Sequence, residues 1–138
     1  MLYVNDWRLI VDKVTLIKKI HNRVIELGEA EPDFVYTKQD FFGRGNTRCH
    51  YLSADGRGNG RGCIVGQAMQ DVVPADEYSL TEIDTDAGEY ITHTLSPSQE
   101  EYNEVESIID DLITIQDRQD LGKSWGIATH GFEKVDID

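Results

Sequence analysis

Apolar residues recur at helical spacing in the first long periodic stretch of the chain, residues 12–34. The spacing places four of them on one stripe, which predicts an amphipathic helix that packs against a core. Asp12 or Thr15 would cap the start of this helix, and Gly28 would end it before Pro32. The stripe consists of Ile17, Ile20, Val24 and Leu27.

A second periodic stretch, residues 96–121, predicts the longest helix of the chain. Ser96 stands where an N-cap is expected, Pro97 suits the first helical position, and Gln99 would complete a capping box. Gly122 would end the helix because glycine readily adopts the left-handed conformation of a C-terminal turn. The predicted apolar face consists of Tyr102, Val105, Ile108, Ile109, Leu112, Ile113 and Ile115.

Three shorter stretches favour β-strands. Residues 34–37 and 48–53 are rich in aromatic and apolar side chains, and residues 89–95 alternate in polarity, as strands do. Residues 62–73 predict a short helix, or a strand that leads into one, closed by Pro74. Residues 122–132 predict a short helix or turn that packs Trp125. These elements predict a single domain, residues 1–138, with an α+β fold in which a small antiparallel sheet packs against two principal helices.

The composition is that of an ordinary globular protein, with 39% hydrophobic and 28% charged residues in a chain of 138. A chain of this length buries enough surface to fold without a metal or a disulfide. No apolar run reaches the ~20 residues of a membrane span and the N-terminus lacks signal-peptide features, so we expect a cytoplasmic protein without membrane contact. Cys49 and Cys63 lack a CxxC spacing and the four histidines are scattered, so we expect reduced thiols, no metal site and no cofactor.

Charge is distributed unevenly along the chain, whose formal net charge is -13. Residues 1–70 carry 10 Lys and Arg against 8 Asp and Glu, whereas residues 71–138 carry 3 against 18. So acidic a surface repels nucleic-acid backbones and anionic membranes, which argues against general nucleic-acid binding. The exception is residues 43–63, where four arginines accompany Asp55 alone. A local anion site is therefore expected there.

The arginines of this window alternate with glycines directly before a predicted helix. Glycine-rich turns let backbone N–H groups converge on an anion, a helix start adds its positive dipole end, and arginine supplies forked donors. The spacing matches neither a Walker loop nor a dinucleotide fingerprint, and a hairpin tip with solvated arginines is the alternative interpretation. The candidate ligand-binding residues are Arg44, Arg48, Arg57, Gly58, Gly60, Arg61 and Gly62.

Cys63 supports a second hypothesis. Thiols at helix starts beside arginines are activated as nucleophiles, and His93 or His130 would supply the base of a cysteine hydrolase. The residues around Cys63 do not reproduce papain-like or NlpC-like signatures, and Ile64 and Val65 favour a buried segment. A buried, inert thiol is the alternative. We therefore assign no catalytic residue and keep the hydrolase as an alternative function.

The acidic half of the chain leads to two further hypotheses. Carboxylates spaced along the long helix would imitate a nucleic-acid backbone and inhibit enzymes that bind one, with ordinary solubility as the alternative. The charge difference between the halves favours head-to-tail self-association into a homo-oligomer, and a chain that stays monomeric at low and high salt would contradict it. The acidic stretch 82–90 departs from an EF-hand because its glycine is residue 88 where residue 87 is required, and His93 stands where the closing glutamate is required.

Two short patterns carry a resemblance. The first is Cys-Ile-Val-Gly after a glycine-rich turn, at residues 63–66, and the second is Asp-x-Gly-x-x-Trp after a late helix, formed by Asp120, Gly122 and Trp125. In these features the chain resembles small uncharacterised acidic proteins of actinobacteria and their phages. The resemblance implies a phage or mobile-element setting and supplies no catalytic residues.

Taken together, these patterns favour a non-enzymatic binding protein that acts in the cytoplasm, that of the host where the chain is phage-encoded. The expected partner is a small anion similar to a phosphorylated nucleotide, or a host protein. The cysteine hydrolase and the nucleic-acid-mimicking inhibitor are the alternatives.

Overall fold

The structure, a computed structural model, describes residues 12–36, 63–73 and 86–137 of the chain. About 70% of these residues are helical and none forms a β-strand. The predicted α+β fold with an antiparallel sheet is therefore wrong for the part of the chain described, which is helical. Its helices are α1 (Lys13–Ala30), α2 (Ile64–Val72), α3 (Ala87–Leu95), α4 (Gln99–Asp120) and α5 (Trp125–Ala128).

The helices share one hydrophobic core. α1 packs against α2, α4 and α5, and α3 packs against α4. The predicted apolar stripe of α1 is confirmed, because its four residues are at most 2% exposed. On α4, five residues of the predicted apolar face are buried, while Tyr102 and Ile113 are partly exposed. Burying one such side chain contributes about 1.5–3 kcal/mol, so each of the two long helices makes a large contribution to the core.

α3 replaces the strand predicted at residues 89–95. The side chain of Asp86 accepts a hydrogen bond from the backbone N–H of Glu89 (2.8 Å) and caps the helix. The buried residues of α3 lie at positions 87–88, 90–91 and 94–95, and pairs that recur every three to four residues fit one face of a helix. The cap and the packing against α4 decide in favour of the helix.

Residues 34–36 do not form the first predicted strand, because the backbone of Phe34 hydrogen-bonds to α5. The carbonyl of Phe34 accepts a hydrogen bond from the backbone N–H of Trp125 (2.8 Å). The centroids of the Phe34 and Trp125 rings lie 4.5 Å apart. Thr37 and the strand predicted at 48–53 lie outside the described residues. α5 confirms the short helix predicted in residues 122–132, and Trp125 is fully buried.

α1 begins at a cap that the sequence predicted but ends later than expected. The carboxylate of Asp12 accepts hydrogen bonds from the Thr15 hydroxyl (2.9 Å) and the Val14 N–H (3.0 Å). The bond from Thr15 is the main cause that lowers the pKa of Asp12 below its ordinary value of 3.8. Gly28 does not end the helix as predicted. A side-chain carbon at this position would clash with Thr129, so the glycine allows close packing there.

α4 begins two residues later than the sequence predicted. The hydroxyl of Ser98 accepts from the N–H of Glu101 (3.1 Å), and the Glu101 carboxylate accepts from the N–H of Ser98 (2.8 Å). This reciprocal pair is a capping box. The cap predicted at Ser96, with Gln99 as its partner, is wrong: Ser96 ends α3 in the left-handed conformation, with a φ of 52°.

Candidate functional site

The residues predicted to bind an anion lie outside the part of the chain that the structure describes, and their arrangement stays a prediction. They are Arg44, Arg48, Arg57, Gly58, Gly60, Arg61 and Gly62. The next residue in the chain, Cys63, is described and is the N-cap of α2. The start of α2 therefore tests one part of the sequence argument, the supply of free N–H groups at a helix start.

The first two N–H groups of α2 are bonded to side chains of α4. Gln119 Oε1 accepts from the N–H of Ile64 (2.8 Å), and Gln116 Oε1 accepts from that of Val65 (3.4 Å). The amide nitrogens of both glutamines donate to one carboxylate oxygen of Asp120, at 2.9 and 3.2 Å. Helix starts attract negative charge, and here Asp120 supplies it through the two amides. These two N–H groups are thus occupied by the chain itself.

Cys63 lies in the core, whereas the two histidines considered as its partners lie at the surface. The exposed fraction of Cys63 is 0% and its thiol is free. His93, on α3, and His130, after α5, are exposed. Among the described residues no hydrogen bond joins Cys63 to either histidine. A nucleophile needs access to its substrate and a base within hydrogen-bond reach, so the described residues give the hydrolase hypothesis no support.

A pocket of about 430 Å³ opens at the C-terminal end of α4. Its volume lies in the range of small-molecule sites. Three basic side chains line it together with Gly126 and Ile127 of α5, and its described lining contains no carboxylate. The three basic side chains are Arg118, Lys123 and His130. We call these five residues the basic pocket.

The turn after α4 brings Lys123 back to Arg118. Gly122 adopts a φ of 93°, a left-handed conformation that glycine reaches without strain. Its N–H donates to the carbonyl of Gln119 (2.9 Å), and the N–H of Lys123 donates to the carbonyl of Arg118 (3.2 Å). These two bonds form a Schellman turn. The helix end that the sequence predicted at Gly122 is confirmed, and it places both cations at one pocket.

Arg118 is held in place by the turn that follows α5. Its Nη1 donates to the carbonyls of His130 (3.0 Å) and Ala128 (3.3 Å), and its guanidinium carbon lies 5.0 Å from the centre of the Phe132 ring. Arginine presents five N–H donors in a planar fork. Its remaining donors have no protein partner within the described ranges. A fixed guanidinium with spare donors can bind an anion with little further loss of side-chain entropy.

Buried aromatic packing supports the pocket from below. The N–H of Gly126 donates to the carbonyl of Pro32 (3.0 Å), and a side-chain carbon at Gly126 would clash with Pro32. The indole N–H of Trp125 donates to Gln119 Oε1 (3.2 Å), the same oxygen that caps α2. The pocket is thus built on rigid, buried contacts, although most of its lining comes from one short stretch of chain.

Two cations elsewhere in the described chain are paired with carboxylates, whereas those of the basic pocket are not. Arg23 contacts Asp71 (2.9 Å), and the hydrogen bond to this carboxylate is the main cause that raises the pKa of Arg23. Lys134 contacts Glu26 (3.2 Å). Neither Arg118 nor Lys123 forms an ion pair within the part of the chain described. The described lining therefore carries two formal positive charges, on Arg118 and Lys123, in a chain of net charge -13.

No protein-family model, curated protein or solved structure matches the chain. The functional assignment of the basic pocket therefore rests on its geometry alone. The resemblance to actinobacterial and phage proteins stays a prediction.

The sequence contained a signal for the basic pocket that the predictions did not use. Only three Lys and Arg occur in residues 71–138, and two of them, Arg118 and Lys123, line this pocket. The predictions favoured the denser group of arginines in residues 43–63 instead. The signal for the basic pocket was this pair of basic residues, which lie five positions apart on either side of a glycine in an otherwise acidic stretch.

The solvent side of α4 carries the carboxylates on which the nucleic-acid-mimic hypothesis depends. At 100° per residue, Glu100 and Glu104 fall on one edge of this side, and Glu106, Asp110 and Asp117 on the other. We call these five residues the acidic face. None of them forms an ion pair in the described part of the chain. Two rows of unpaired charge are compatible with a mimic and with simple solubility, so the hypothesis stays a prediction.

The structure offers no place for a metal within the described ranges, since no three His, Cys, Asp or Glu side chains come together there. No helix described is long and apolar enough to cross a membrane.

Proposed function

We propose that the protein is a non-enzymatic binding protein of the cytoplasm, and that its ligand is a small anion of the phosphate type held in the basic pocket. The observation that carries the proposal is the grouping of Arg118, Lys123 and His130 around one pocket, without a carboxylate partner among the described residues. Where the chain is phage-encoded, this cytoplasm is that of the host.

The chemistry of the lining suits an anion. The described lining contains no carboxylate that would repel one. Arg118 supplies forked donors that match phosphate oxygens, and Lys123 supplies a mobile point charge. A fixed guanidinium, a mobile ammonium group and one imidazole suit a phosphate group better than a single carboxylate.

The experiment measures phosphate binding calorimetrically at low ionic strength for the wild type and for Lys123→Gln. The Lys123 side chain makes no hydrogen bond or ion pair with the described residues, so its replacement leaves the fold intact. A charge-assisted hydrogen bond contributes about 1.5–3 kcal/mol. We therefore expect Lys123→Gln to weaken phosphate binding about tenfold or more. We also expect that neither protein releases a hydrolysis product from a panel of nucleotides.

Lys19→Gln is the matched control, because Lys19 is an exposed lysine of α1 and its loss changes the net charge equally. Binding in this variant should stay close to that of the wild type. Arg57→Ala/Arg61→Ala tests the site predicted in residues 43–63. Equal affinity in the wild type and Lys123→Gln would contradict the proposal, and a loss confined to Arg57→Ala/Arg61→Ala would place the site in that segment.

A further inference from the structure

Ile127 contributes an apolar side chain to the lining of the basic pocket, beside Arg118, Lys123 and His130. It is 58% exposed, although its neighbours in α5, Trp125 and Ala128, are fully buried. Single exposed apolar side chains are ordinary on protein surfaces, but Ile127 lies in the lining of a pocket beside two cations. The fold does not require Ile127 to be apolar, since the rest of α5 anchors the helix.

The pocket is also larger than a phosphate group requires. A water molecule occupies ~30 Å³ in the liquid, so a volume of about 430 Å³ exceeds inorganic phosphate several times over. Small-molecule sites typically combine an apolar surface with a few polar groups that fix orientation. The basic pocket has this composition: Ile127 and Gly126 supply the apolar surface, and Arg118 and Lys123 supply the polar groups.

We infer that the ligand of the basic pocket is an amphiphilic anion, a phosphate monoester whose aryl or alkyl body covers Ile127. This inference rests on the proposed function and specifies its ligand class. The phosphate group lies against Arg118 and Lys123, and the body of the ester removes the exposed side chain of Ile127 from water. Ile127 is therefore the residue that distinguishes an organic phosphate from the free ion.

The test compares inorganic phosphate, phenyl phosphate and butyl phosphate by calorimetry, with the wild type and Ile127→Ser. Covering the exposed half of an isoleucine side chain strengthens binding by about five- to tenfold. We expect the wild type to prefer at least one of the two esters over inorganic phosphate by this factor. Ile127→Ser should reduce the preference to about twofold or less and leave the affinity for inorganic phosphate unchanged. The two esters distinguish an aryl body from an alkyl body.

Val35→Ser is the matched control, because Val35 is also an exposed β-branched residue, at 50%, and does not line the pocket. It should keep the ester preference of the wild type. If the wild type binds the esters and inorganic phosphate with about equal affinity, or if Ile127→Ser keeps the preference for an ester, the inference is overturned. Phosphate binding would then still support the proposed function. Binding of none of the three compounds would overturn both.

Discussion

At the scale of single residues, Gly28 shows how a contact between distant parts of the chain sets the role of a side chain. Gly28 lies inside α1, where glycine is about 1 kcal/mol less favourable than alanine. The Thr129 side chain occupies the space in which a β-carbon of residue 28 would lie. The Thr129 hydroxyl donates to the carbonyl of Trp125 (2.8 Å), so the threonine is held in that position.

We expect Gly28→Ala to destabilise the protein by about 1–3 kcal/mol. Helix propensity alone predicts a gain, but overpacking a buried site costs more than that gain. Urea denaturation followed by circular dichroism measures the difference. Glu29→Ala is the control, since residue 29 is exposed on the same turn of α1 and should change stability little. A rise in stability for Gly28→Ala would mean that Thr129 does not pack against residue 28.

Gly28 and Gly122 also show which glycines a sequence explains. Both follow an apolar periodic stretch, and both were predicted to end a helix. Gly122 does so, with a φ of 93°, because local turn chemistry decides its role. Gly28 does not, because Thr129, near the other end of the chain, decides its role. Local rules therefore predicted the turn that shapes the basic pocket and failed at the contact between α1 and the segment after α5.

At the scale of elements, the junction between α3 and α4 contains two serines with opposite roles. Ser98 caps α4 through its hydroxyl, whereas Ser96 ends α3 with a left-handed backbone. We expect Ser98→Ala to destabilise the protein by about 1 kcal/mol, because an N–H of α4 loses its partner. We expect Ser96→Gly to stabilise it by up to about 1 kcal/mol, because glycine adopts that backbone without strain.

Paired urea denaturation curves at one pH check the signs of the two changes. The sequence alone predicted Ser96 as the cap. Stabilisation by Ser96→Gly together with loss in Ser98→Ala supports the capping box at Ser98. Loss in both variants, or loss in Ser96→Gly alone, would restore Ser96 as the cap of α4.

The long helices were predictable from the sequence, whereas the short predicted strands were wrong where the structure describes them. α1 and α4 repeat their apolar pattern over several turns, so the helical period is unambiguous. α3 has nine residues, too few to separate a helical period from an alternating one. The predicted sheet depended on three such short stretches. One of them is α3, residues 34–36 of another lack a strand, and the third lies outside the described residues.

At the scale of the whole molecule, the sequence shows Arg118 and Lys123 as two isolated cations of an acidic half, but it does not show the pocket that they line. Arg118 and Lys123 are separated from any dense cluster of basic residues along the chain. Only the turn at Gly122 and the bonds from Arg118 to the carbonyls after α5 place them around one volume with His130. A count of charges along the sequence can point to the two cations but not to the site, because the site depends on which side chains share one volume in space.

The acidic face of α4 leads to a last prediction about stability and salt. Glu106 and Asp110 lie four residues apart on a helix, and like charges at this spacing destabilise it by about 0.2–0.5 kcal/mol. Glu106→Gln should therefore stabilise the protein at low ionic strength. Glu26→Gln makes the same chemical change where the carboxylate contacts Arg23 (3.5 Å) and Lys134 (3.2 Å), so it should reduce stability by up to about 1 kcal/mol. Added salt screens both interactions, and the two effects should shrink together when urea denaturation is repeated in high salt. If Glu106→Gln were destabilising at low salt, the acidic face would have a cation partner in the folded protein, and its carboxylates would not repel one another freely.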